Sequence, residues 1–210
     1  MNQPASRAAP RKKRRIRILP ILGYVIAVLG IAWFFEARLP TTIVIVRHAD
    51  TDGTMQADGD PPLNAAGRLR AEELADFLQD IDVVAGVNAT YASDKRRTQE
   101  TAEPLARRLG LEIKIEDMYD FERVVRHIER DHRGDIVLVV THSDAIAPLI
   151  DELHGKKGLP EIAPDEYDNV YIITSPWFGA VKTLRVHYGQ RDVGATLSGS
   201  SETTAVTTPR

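Results

Sequence analysis

The chain has 210 residues, 43% of them hydrophobic and 27% charged, which suffices for one enzyme-sized domain with a single core plus appendages. It contains no cysteine, which excludes disulfides, a thiolate nucleophile and any Cys-ligated metal, so a metal would have to be held by His, Asp or Glu. The net charge of −3 conceals a division: residues 1–35 hold seven bases (Arg7, Arg11, Lys12, Lys13, Arg14, Arg15 and Arg17) and no acid, leaving 20 bases against all 30 acids elsewhere, a charge of −10.

The first element follows the basic run "RKKRRIR" directly. Residues 18–35, "ILPILGYVIAVLGIAWFF", carry no charge and close on Trp33, Phe34 and Phe35. As a helix this stretch spans roughly 27 Å, close to the ~30 Å hydrocarbon layer. A buried core helix and a cleaved signal peptide are the alternatives, but "AWFFEARLP" offers no Ala-x-Ala cleavage site. The expectation is a transmembrane signal-anchor helix at 18–35 behind a basic cytoplasmic tail at 1–17. The domain that follows then lies on the extracytoplasmic side of a single-pass membrane protein. A basic run abutting an apolar span is a topology signal with anionic-lipid contacts, so the membrane is an expected partner and nucleic acid is not.

From Thr41 onward, β-rich runs at 41–46, 89–93, 111–115 and 135–141 alternate with amphipathic stretches. Leu74, Phe77, Leu78 and Ile81 fall on one helical face, as do Ala102, Leu105, Ala106 and Leu109, and Phe121, Val124, Val125 and Ile128. Asn64 and Ser93 are placed to cap the first two helices and Gly110 to end the second, which Pro104 is expected to kink or interrupt. Two further strands, 169–174 and 180–188, form a closing hairpin around "SPWFG". The pattern predicts a three-layer α/β/α sandwich at 41–190 with a mostly parallel sheet, followed by a disordered tail at 191–210.

In such a fold ligands bind beyond the carboxyl ends of the strands. There "IVIV" runs into Arg47-His48, "IVLVVT" runs into His142, and Arg97 lies four residues past Ser93. Two histidines, two arginines and the helix amino terminus after His142 suit a phosphate dianion. A neutral imidazole held at one nitrogen can attack phosphorus with the other. Arg47, Arg97 and a protonated His142 would stabilise the equatorial oxygens.

These segments resemble the histidine phosphatase superfamily (phosphoglycerate mutase-like, branch 1). "RHAD" matches its Arg-His-Gly/Ala motif, "PLNAAGRLRAEELA" its LTxxGxxQA segment, "YASDKRRTQETA" its SSxxxRxxxTA segment, and "VVTHSD" its second-histidine motif, in order across about residues 41–188. The resemblance implies a phosphoglycerate mutase-like fold and a phosphatase that needs neither cofactor nor metal and acts on a phosphorylated substrate. It implies His48 as nucleophile, with Arg47, Arg97 and His142 as the phosphate pocket and His142 also catalytic. Asn64 replaces the family's threonine. Many members carry a glutamate general acid in an insertion after the third strand, but only 19 residues, 116–134, separate that strand from the fourth here. Asp50 and Asp117 are the candidate acids; Glu116, Asp120 and Asp144 are also near. The short form resembles the phosphohistidine-phosphatase type rather than a mutase.

Two other functions remain. "DTDGT" (50–54) resembles the Asp-x-Asp-Gly-Thr motif of Mg²⁺-dependent haloacid-dehalogenase-type phosphatases, with Asp50 as nucleophile, although three residues part it from the strand. The other is a non-catalytic, membrane-tethered binding module on the same scaffold. Asp50, Asp52, Asp58 and Asp60 fail the spacing of a calcium loop at Thr54, and His127, His132 and His154 are expected at the surface.

Overall fold

A computed structural model of the chain describes residues 18–36, 39–52, 59–80, 86–176 and 179–189. The expected tails at 1–17 and 191–210 lie outside the described residues. Two compact units divide the chain, 1–37 and 38–210. The first contributes one helix, α1 (Ile18–Glu36), whose side chains, described from Pro20 to Phe34, are uncharged and exposed. Among the described residues no helix is long and apolar enough to cross a membrane.

The second unit runs β1 (Thr41–Arg47), α2 (Ala65–Asp80), β2 (Ala89–Ala92), α3 (Arg96–Leu109), β3 (Ile113–Ile115), α4 (Phe121–Asp131), β4 (Ile136–Thr141), α5 (Ser143–Glu152), β5 (Asn169–Ser175) and β6 (Lys182–His187). The strands form one mixed sheet in the order β3-β2-β4-β1-β5-β6. The first four are parallel, and β5 and β6 add antiparallel at the β1 side. This is the expected parallel core with a closing hairpin at the edge.

Side-chain alternation explains the layers. Ile43, Ile45, Val137 and Val139 face Val124, Ile128, Ile146 and Leu149 of α4 and α5. Their neighbours Val44, Val46, Leu138 and Val140 face Leu74, Leu78, Ala102 and Leu105 of α2 and α3. Because β1 and β4 are buried on both faces, they read in sequence as unbroken apolar runs.

Local chemistry decides the element ends. Asn64 caps α2 as expected, its Oδ1 accepting from Gly67 N–H at 2.8 Å. A Cβ on Gly67 would lie 2.1 Å from the Asp50 carbonyl oxygen, so glycine lets α2 pack directly on the loop that follows His48. Gly110 ends α3 with φ 67°, and Leu111 N–H returns to the Ala106 carbonyl at 2.8 Å. That bond draws Leu111 into the helix end, so β3 starts later than the expected 111.

Two expectations for α3 are corrected. Ser93 does not cap it; Asp60, from the distant loop, accepts from Arg96 N–H at 3.0 and 3.1 Å instead. Nor does Pro104 break it, although the missing N–H and the ring clash cost about 3 kcal/mol. Packing holds both sides of the proline: Thr98, Thr101 and Ala102 before it and Leu105 and Ala106 after it are buried, while Arg107 and Arg108 pair with Glu72 and Asp76 of α2.

Candidate active site

Arg47 at the end of β1 lies opposite Thr141 at the end of β4. The next residues, His48 and His142, therefore leave the sheet side by side, their ring centroids 5.6 Å apart. The His48 N–H still donates to the Thr141 carbonyl at 2.9 Å, which fixes the backbone of the pair.

The His48 ring is oriented from within its own loop. Nδ1 lies 2.8 Å from the Ala49 carbonyl, and a carbonyl only accepts, so Nδ1 carries the proton and Nε2 keeps its lone pair. Ala49 is itself held, its N–H donating to Thr101 Oγ1 at 2.9 Å. Burial, followed by the positive Arg97 and by His142 and Arg47, lowers the His48 pKa from 6.5 to about 4, against the opposing pull of the Ala49 carbonyl. His48 is thus a neutral imidazole with a free Nε2 at neutral pH.

His142 is held through both ring nitrogens. Its Nε2 lies 3.1 Å from Ser93 Oγ, and its Nδ1 lies 3.4 Å from Arg97 Nη2, a nitrogen that only donates. Nδ1 is therefore an acceptor and the ring is neutral in the empty site, whereas the imidazolium expected from the sequence belongs to a site holding phosphate. Burial is the main cause of its lowered pKa, reinforced by Arg97 and Lys95 and opposed by Asp144 and Asp94. The Tyr119 ring stacks on this imidazole at 6.0 Å and 11°.

The two arginines are held differently. Arg97, in the first turn of α3, reaches His142 with Nη2 and Asp60 with Nη1 at 3.7 Å. Arg47 is largely buried and turns Nη1 to three carbonyls, of Ala163 (3.1 Å), Pro164 (3.0 Å) and Glu166 (3.2 Å). Its guanidinium carbon sits 4.1 Å above the Tyr167 ring. Arg47 Nε is buried with no partner among the described residues, an orphaned donor on the residue that precedes His48.

The acids separate by what they hold. Asp50 is committed to Arg70 at 2.5 Å. Glu116 holds His127 at 2.7 Å and Arg123 at 3.5 Å, and Asp120 caps α4. Asp117 accepts only a local bond from Tyr119 N–H, and Asp144 accepts from the Tyr119 hydroxyl at 3.2 Å. Both carboxylates thus bond to Tyr119, the residue stacked on His142, and Asp117 and Tyr119 also line a groove of 490 Å³ with Asp94, Lys95 and Ile115. Asp50 is thus the less suitable of the two candidate acids.

Among the described residues the grouping with metal-ligand spacing is Glu166, Asp168 and His187, away from both histidines in sequence and with Arg185 on Glu166. Asp50 and Asp60 are instead paired with arginines, and Asp58 lies outside the described residues. His154 is exposed and His127 half-buried. His132 is buried, contrary to expectation, between Tyr91, Asp135 and Lys114. Sequence reading missed the parts played by Tyr119, Tyr167 and the 163–166 carbonyls, because loop residues carry no periodic signal. For Ser93, the strand-end position supplied the right place and the wrong partner.

The model of the histidine phosphatase superfamily (branch 1) matches residues 43–119, from β1 through Arg47, His48 and Arg97. Over that segment the chain is similar to this superfamily. No curated protein matches it by sequence. The same fold recurs in solved structures, over a larger share of the chain. The protein histidine phosphatase SixA, solved with tungstate, is 18% identical with a TM-score of 0.57, over 70% of this chain and 96% of that one. Mycobacterial glucosyl-3-phosphoglycerate phosphatase is 17% identical with a TM-score of 0.54, over 71% and 98%. Bacillus stearothermophilus YhfR is 20% identical with a TM-score of 0.52, over 63% and 90%. At these identities the likeness is one of fold.

Proposed function

We propose that this protein is a membrane-anchored, metal-independent phosphomonoesterase that works through a phosphohistidine on His48. The observation that carries this reading is the Nδ1 bond of His48 to the Ala49 carbonyl, which leaves a neutral imidazole with its Nε2 lone pair free at neutral pH. In the first step Nε2 attacks phosphorus, the P–N bond forms, the P–O bond to the leaving group breaks, and an acid protonates the departing oxygen. Asp117 or Asp144, beside Tyr119, supplies that proton. In the second step water attacks the phosphohistidine, the same carboxylate takes its proton, and His48 is regenerated with inorganic phosphate. Arg47 Nε, Arg97, His142 and the first-turn N–H groups of α5 stabilise the charge on the equatorial oxygens.

The Mg²⁺-dependent alternative would need the Asp50 carboxylate free, and it is paired with Arg70. The binding-module alternative finds no support in the residues, since His48, Arg47, Arg97 and His142 are all retained. The short β3–α4 connection leaves an open mouth that suits a bulky phosphorylated molecule, such as an envelope saccharide or a phosphoprotein. Equal turnover of small free phosphate esters in a substrate panel would count against that class.

The reading is tested by hydrolysis of an aryl phosphate by the full chain across pH. The nucleophile is the base form, and its folded pKa is lowered to about 4, so activity persists below the ordinary histidine range and falls only as pH drops through about 4. An acid limb near 6.5 would mean that another group titrates.

Anchoring rests on the apolar stretch at 18–35 behind its basic flank. A reporter enzyme fused after Arg210 should then be active only if it functions outside the cytoplasm. A reporter active inside the cell overturns the topology.

A further inference from the structure

Behind His142 lies a pair of buried hydroxyls that the proposed chemistry does not use. Ser93 is 3% exposed and Thr98 fully buried. The direction of every hydrogen bond between them is forced. The single hydroxyl proton of Thr98 goes to the Lys95 carbonyl at 2.7 Å, with the Ser93 carbonyl at 3.2 Å as a second acceptor. Toward Ser93 Oγ, 2.8 Å away, Thr98 can therefore only accept, and Ser93 gives its one proton there. Ser93 Oγ has lone pairs alone left for its other neighbours, the Lys95 N–H at 3.3 Å and His142 Nε2 at 3.1 Å. His142 Nε2 must carry a proton.

We propose that Ser93, oriented by Thr98, is a positioning residue that locks the His142 proton on Nε2, so that His142 gains and loses charge only at Nδ1, the nitrogen facing Arg97. The consequence for turnover rests on the phosphatase reading; the tautomer itself does not. The charged and titratable groups around this imidazole are Arg97 on α3, Asp94 and Lys95 in the β2–α3 turn, His48 after β1, Tyr119 before α4 and Asp144 on α5. With the site empty, burial and Arg97 hold the ring neutral. A bound dianion places negative charge beside Nδ1 and favours proton uptake there. The resulting imidazolium donates from Nε2 to Ser93 and from Nδ1 to the anion. His142 thus becomes the cation the chemistry requires only when its ligand arrives.

Removing the Ser93 oxygen leaves the buried Nε2–H without an acceptor and makes the cation harder to form. The pKa of His142 in the complex then falls. Anion binding, which needs the cation, is lost at a lower pH than in the wild type.

The test uses ¹⁵N imidazole spectra of the full chain with sulfate, a dianion that does not titrate near neutrality, as the probe. The wild type should show the Nε2–H tautomer alone without sulfate and an imidazolium with it. Ser93→Ala should show mixed tautomers, sulfate binding weaker by about tenfold at neutral pH, and a binding limb displaced to lower pH. Thr98→Val, which frees the Ser93 hydroxyl to turn, should mix the tautomers while retaining Ser93, and Ser93→Thr should restore the wild-type spectrum. With an aryl phosphate, Ser93→Ala should raise KM more than it lowers kcat. An unchanged Nε2–H tautomer in Ser93→Ala, or a binding loss equal at every pH, overturns the proposal. A wild type that shows these spectra but hydrolyses no phosphate ester upholds the positioning role and removes the phosphatase reading instead.

Discussion

Replacing His48 with alanine lowers kcat for phosphate-ester hydrolysis by roughly 10⁴-fold or more, since no other group of the site is placed to take over as covalent nucleophile. The fold survives. The ring is buried, and its loss leaves a void and an unpaired Ala49 carbonyl, a cost of about 1–3 kcal/mol. The backbone bonds of His48 to Thr141 and of Ala49 to Thr101 do not involve the ring and hold the loop in place. Turnover and denaturant midpoint measured on the same preparation separate the two effects: near-normal kcat in a folded variant removes His48 from the mechanism.

Arg47→Ala is the second large effect, and it acts on stability and activity together. Three loop carbonyls lose their shared donor, Tyr167 loses the guanidinium above it, and the pocket loses the unpartnered Nε. A stability loss of about 2–4 kcal/mol is expected, with kcat falling about 10²- to 10³-fold. Arg47→Lys should recover little of either, because an ammonium reaches one or two of these partners where the planar fork reaches all. Urea unfolding together with aryl phosphate kinetics checks both arms. Wild-type stability in Arg47→Ala would show that the 163–167 loop is held by other contacts.

The sequence made the centre of the fold legible because β1 and β4 are buried on both faces and stand out as apolar runs that each stop at a histidine. Parallel pairing of those two strands is what brings His48 and His142 together, so strand ends alone located the site. Helix faces were readable for the same reason: Leu74 and Leu78, or Val124 and Ile128, recur at the helical period. What stayed hidden depends on residues far apart in the chain. Asp60 caps a helix that lies nearer in sequence to Ser93, and His132 is buried because Tyr91 and Lys114, far from it in sequence, join Asp135 around it. The double duty of Arg47 has no local signature either, since the carbonyls that bind it belong to a loop without periodicity. The neutral state of His142 in the empty site was not legible either, because burial and Arg97 act on it only once the chain is folded.

The general acid shows the same division. Proximity in sequence offered five carboxylates, and the hydrogen bonds of Asp50, Glu116 and Asp120 commit three of them elsewhere. Asp117 and Asp144 are left, the first bonded to the backbone and the second to the hydroxyl of Tyr119, whose ring stacks on His142.

The most direct measurement is to trap the phosphoenzyme: the full chain is mixed with an aryl phosphate in excess EDTA, quenched in alkali, and the phosphorylated peptide is identified by mass spectrometry. A nitrogen-linked phosphate survives alkali, whereas an aspartyl phosphate does not. The account predicts phosphate on His48, formed without metal and absent from His48→Ala. Activity that vanishes in EDTA and returns with Mg²⁺, with no phosphate on His48, would contradict it.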